Sequence, residues 1–155
     1  MQNQQLRKQL LRMQTKDQKM RQSKKWDIAV DKENTEKLKK IIVKYGWPIR
    51  KLVGVEGETA TWLIAQHADH DVSFQEKCLK LMAENNSPKN LIAMLTDRVL
   101  INQGKKQKFG TQFYQDDFGI VVPRPIIDQK NLDKRRSKYG LIPFEEYRKI
   151  MQSKK

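Results

Sequence analysis

The chain has 155 residues, 37% of them hydrophobic, with a single cysteine and a net charge of +14. This is enough chain for one domain with its own core, and no charge-free run is long enough to make a transmembrane helix. One cysteine excludes an internal disulfide, and the N-terminus lacks the apolar segment of a secretory signal, so the composition predicts a soluble cytoplasmic protein with no membrane association.

The charge is unevenly spread: residues 1–52 carry a net +10, residues 53–103 a net −3 and residues 104–155 a net +7. The basic flanks read either as solvated surface or as a contact for nucleic acid or an acidic protein partner. Aromatic residues are not interleaved with the basic ones as in a base-stacking platform.

From about residue 3 to 24, Leu6, Leu10, Met13, Asp17 and Met20 recur in steps of four and three and share one helical stripe. Asp17 breaks the apolar stripe with a charge, and Arg21 lies one turn on. An inward-facing Asp17 needs a cation, because a lone buried charge costs several kcal/mol. The pair reads either as a structural tie or as part of a site.

A helical core is expected over about residues 31–103. Asp31 is the expected N-cap of a helix with Leu38, Ile41, Ile42 and Tyr45 as its stripe and Gly46 as its stop. Trp47-Pro48 then forces an extended exit. Gly54 and Gly57 bracket a predicted loop, which lacks the spacing of a phosphate-binding loop.

The central helix, Thr59–His70, is apolar on two sides. Ala60, Leu63, Ile64 and His67 form one face; Trp62, Gln66 and Asp69 gather near the opposite one. Such a helix is buried and carries polar groups that need partners or a task. Asp71 or Ser73 caps the next helix, with Phe74, Cys78 and Leu81 on its inner face. The helix from Pro88 to Gln103 is apolar almost all round, interrupted by Asp97-Arg98. Beyond Gly104, residues 109–114 and 119–122 predict a hairpin, followed by short helices near 131–139 and 143–152. The fold expected is mainly α: a compact single domain, 1–155, with two buried central helices and a small C-terminal hairpin.

His67 reads either as a core histidine bonded to a neighbour or as a general acid or base, since imidazole titrates near neutral pH. In the second case Asp97 would orient it and Arg98 would hold an anionic group. Gln66, Asp69, Gln107, Thr111 and Gln112, with Asp17 and Arg21, would fix a polar ligand, and Gly110 would let the backbone approach it. His67, His70 and Asp71 form one closely spaced set without the glutamate of a zincin motif, so no metal site is assigned. Helical spacing makes Cys78 a packing residue.

Several pieces resemble an uncharacterised bacterial domain family, a domain of unknown function. They are Asp17-Gln18 with Arg21, Trp47-Pro48, Gly54 with Gly57, Gln66-His67-Ala68-Asp69 with Asp71, Phe74-Gln75, Asp97-Arg98, Gln107-x-Phe109-Gly110-Thr111-Gln112, Pro123-x-Pro125-Ile126 and Arg135-Arg136 before Gly140-Leu141. The resemblance spans roughly residues 6–150, with phenylalanine at position 109 where tyrosine is expected in many relatives. The resemblance implies that the scattered polar pieces belong to one pattern, and it carries no activity or cofactor. Two functions follow from the residues. One is a small enzyme or ligand-binding domain using His67 on a polar, anionic ligand, with His67, Asp97, Arg98, Gln107 and Gln112 in one pocket. The alternative is a non-catalytic binding protein that uses its basic flanks.

Overall fold

A computed structural model describes residues 1–154. The protein is mainly α with one small antiparallel hairpin. It divides into two compact units, the first ending at Ser87 and the second starting at Pro88.

The first unit holds four helices: α1 (Gln4–Gln22), α2 (Ile28–Tyr45), α3 (Arg50–Gln66) and α4 (Val72–Glu84). Asn3 starts α1 by accepting the amide of Leu6 on its side chain, and its own amide donates to the carbonyl of Leu52. The stripe of Leu6, Leu10, Met13, Asp17 and Met20 is buried, and α1 packs chiefly along α3, with α2 laid against both. The N-cap of α2 is Asp27 rather than Asp31, which lies one turn inside the helix, buried. Gly46 ends α2 at φ +72°, as its position predicts.

The predicted loop around Gly54 and Gly57 narrows to a break at one residue: α3 is two helical segments joined at Gly54, whose φ of +75° and ψ of 173° are not helical, and Gly57 lies inside the second. The only contact forcing a glycine at 57 is the Val53 side chain, 2.7 Å from where a Cβ would sit. The helix stops at Gln66, short of the predicted His70, and His67 is its C-cap. Asp71 accepts the amide of Phe74 and caps α4.

The second unit opens with α5 (Lys89–Asn102), followed by strands β1 (Phe113–Gln115) and β2 (Val121–Pro123). The hairpin is shorter than the pattern suggested, and pairs Phe113 with Pro123 and Gln115 with Val121. Residues 107–112 are held instead by side chains, by an isolated bridge from Gln107 to Ile126 and by the Arg124 amide donating to the Gln112 carbonyl. A 3-10 turn (Gln129–Asn131) leads into α6 (Leu132–Lys138), and α7 (Phe144–Ser153) follows. No helix among the described residues is long and apolar enough to cross a membrane.

Candidate functional site

The first unit gathers its charges at the end of α1. Asp17 projects from the apolar stripe and is 1% exposed. His67, delivered by the last turn of α3, places Nδ1 2.8 Å from Asp17 Oδ1. Arg21, one turn beyond Asp17, sits 3.2 Å from the same oxygen and donates through both terminal nitrogens to Asp31, at 3.0 and 3.1 Å. Gln18 donates to the second oxygen of Asp17, and the Trp26 ring covers the Arg21 guanidinium at 4.7 Å. The result is a chain running Asp31–Arg21–Asp17–His67.

Burial alone would push the Asp17 carboxyl up. The hydrogen bond and charge of His67, with Arg21 and Gln18, outweigh it and hold the group below its ordinary value. The carboxylate is therefore ionised at neutral pH and receives Nδ1–H. That leaves Nε2 as the basic nitrogen, on a side chain 16% exposed. Among the described residues nothing in the structure bonds Nε2.

Around this dyad, Gln75 staples the end of α3. Its amide nitrogen lies within hydrogen-bond distance of the carbonyls of Ala65 and Gln66 and of Asp69 Oδ1. Gln66 is buried with its side-chain oxygen unpaired, and the indole N–H of Trp62, one turn earlier, is likewise buried and unpaired. Asp71 pairs with Lys39 at 2.8 Å. No three His, Cys, Asp or Glu side chains are grouped to hold a metal ion among the described residues.

The second unit has its own polar cluster. Asp97 on α5 is fully buried, and each of its oxygens accepts two hydrogen bonds. Oδ1 takes the amides of Lys108 and Phe109, at 2.7 and 2.9 Å. Oδ2 takes the amide and hydroxyl of Thr111, at 2.9 and 2.8 Å. Burial pushes this carboxyl above its ordinary value, while the four donors pull the other way. Gln107, fully buried, copies a backbone strand: its side chain bonds the Gln112 amide and carbonyl and the Arg124 carbonyl. Arg98 donates to Gln112 Oε1 at 3.1 Å. Gly110 has φ +67°, and the space a Cβ would need is filled by the Phe144 ring at 2.8 Å, so here the close approach is made by a side chain of the fold.

Of the residues expected at a site, Asp17, Arg21 and His67 thus meet in the first unit, with Gln66 at the end of α3 and Asp69 in the turn after it. Asp97, Arg98, Gln107, Gly110, Thr111 and Gln112 assemble in the second. The five residues expected in one pocket divide accordingly, His67 in one unit and the other four in the other. The carboxylate on His67 Nδ1 is that of Asp17, where Asp97 had been expected.

Three participants were not assigned to the site. Asp31 reads as a cap, whereas Gln75 and Arg136 stand only among the pieces of the family resemblance, with no role given to either. Arg136 is 1% exposed, bonded to the carbonyls of Ile142 and Phe109, and faces the rings of Tyr147 and Phe144.

The sequence profile of a family of unknown function, DUF6624, matches residues 3–154. The chain belongs to this family. No curated protein and no solved structure matches this DUF6624 chain.

Proposed function

We propose that this DUF6624 protein is an enzyme in which His67, oriented by Asp17, moves a proton on a polar, anionic substrate. The observation that carries this reading is the buried, ionised carboxylate on Nδ1 of a partly exposed histidine. In that arrangement Asp17 selects the tautomer with the proton on Nδ1 and stabilises the imidazolium formed when Nε2 takes a proton. Nε2 would draw the proton from a water or substrate hydroxyl and return it to the departing group. Arg21 is already engaged by two carboxylates, so its part is to hold Asp17 in place, not to bind substrate. The net charge of +14 favours an anionic substrate by raising its local concentration.

The test has two stages. Nitrogen-15 spectra should show neutral His67 protonated on Nδ1, and Asp17→Asn should disturb that preference. A panel of phosphate and carboxylate esters should then yield a turnover that His67→Ala lowers by at least about a hundredfold, the usual worth of a positioned acid or base. Any turnover that survives His67→Ala intact removes the proposal.

A second reading is favoured by one face of α1. Lys8, Arg12 and Lys19 are exposed, lie on the side opposite the buried stripe, and have no carboxylate partner among the described residues. A row of this kind would bind a polyanion without catalysis.

A further inference from the structure

Trp47-Pro48 takes no part in the proton-transfer reading, yet the two residues make the turn between α2 and α3 and are buried. Beside this turn lies a cleft of about 380 Å³, lined by Tyr45, Trp47, Ile49, Leu52 and Leu81, with Lys51 at its edge. That volume is within the range of small-molecule sites, roughly 300–1,000 Å³, and the lining has their usual make-up, mostly apolar with a few polar groups.

Charge marks what the cleft would take. No Asp or Glu lines the cleft, Lys51 has no carboxylate partner among the described residues, and the neighbouring Arg50 is taken by Glu58. Lys51 therefore brings an uncompensated positive charge to a mostly apolar lining.

We infer that this cleft binds a small apolar carboxylic acid, its chain against Tyr45, Ile49, Leu52 and Leu81 and its carboxylate paired with Lys51. A neutral apolar molecule would leave the lysine uncompensated, and an amine would be repelled by it. The site uses none of the residues of the His67 dyad, so it stands or falls separately from the enzymatic reading.

The experiment is titration calorimetry of the full chain with octanoate, 1-octanol and octylamine, which share one apolar chain and differ in the head. Octanoate should bind saturably at one site, more tightly than octanol, with octylamine weakest. Lys51→Met keeps the stem and removes the charge; it should weaken octanoate about tenfold, the worth of one charge-assisted contact, and leave octanol unchanged. His67→Ala should bind octanoate as the unaltered protein does. Circular dichroism confirms that each variant is folded. The inference is overturned if none of the three molecules binds saturably, or if octanol binds as tightly as octanoate. It is equally overturned if Lys51→Met leaves octanoate affinity unchanged, or if sedimentation shows a dimer that octanoate neither dissociates nor binds, which would give this face to a second copy of the chain.

Discussion

Asp17 and Asp97 are both aspartates on helices, both sealed from solvent, and they are held in contrasting ways. Asp97 is surrounded by backbone amides and one hydroxyl, groups that do not titrate near neutral pH. It ties α5 to the loop that follows, and its four hydrogen bonds leave its oxygens nothing further to do. Asp17 is held by groups that carry charge: a histidine, an arginine, and through it a second aspartate. A carboxylate satisfied by amides makes a rigid corner, whereas one satisfied by an imidazole is coupled to a proton that can leave. The functional candidate is therefore the aspartate with the titratable neighbour, although the other is the more completely bonded.

This contrast predicts where stability and chemistry separate. The largest loss should follow Asp97→Ala, which strands three amides and a hydroxyl; about 3–5 kcal/mol is expected, read from the denaturant midpoint, with the His67 tautomer unchanged. A cost below about 1 kcal/mol would mean that the loop is held by something else. Gly110→Ala should cost about 1–3 kcal/mol, because it adds a strained φ to a clash with the Phe144 ring, and a thermal melt reads it. Asp17→Asn should cost somewhat less, since Arg21 keeps Asp31 as a partner, but it should remove the Nδ1 preference that Asp97→Ala leaves alone.

A pH series separates the two further. The Asp17 carboxyl is held below its ordinary value of 3.8 when folded. Its stabilising contribution is complete above about pH 4 and is lost as pH falls through the folded value. The wild-type protein should therefore lose stability more steeply below pH 4 than Asp17→Asn, as followed by urea midpoints. Equal slopes would mean that Asp17 is not the ionised partner of His67. The smallest effect concerns Cys78, whose thiol burial pushes up to about 12. Iodoacetamide should leave it unmodified in the folded protein and alkylate it readily in urea.

Periodicity made much of this legible. The stripe of α1 placed Asp17 on a buried face, and the all-round apolar character of residues 88–103 placed Asp97 in a core, because helical spacing reports which face is covered. It does not report what covers it. His67 lies 50 residues from Asp17 in the chain, and no local spacing could join them. Asp97 seemed a natural partner because it is the carboxylate that interrupts the other buried helix. The boundaries failed for local reasons. Gly54 looked like a break, but a glycine can turn the backbone and let the helix resume. Asp31 looked like a cap because the real cap, Asp27, stands one turn earlier and leaves Asp31 free to meet Arg21. Arg136 was invisible as a core residue because its partners are carbonyls and aromatic faces, which composition does not announce.

The two aspartates also differ in when they can form. The bonds of Asp97 close loops of 11 to 14 residues, so they can form while the rest of the chain is still unfolded. Joining His67 to Asp17 closes a loop of 50, at an extra entropic cost of about 1 kcal/mol, and requires α1 to have docked along α3. During refolding the corner at Asp97 should precede the dyad. A chain in which α1 is still detached can thus hold most of its helices and yet have an imidazole with no carboxylate beside it, so the His67–Asp17 pair forms only once α1 has docked.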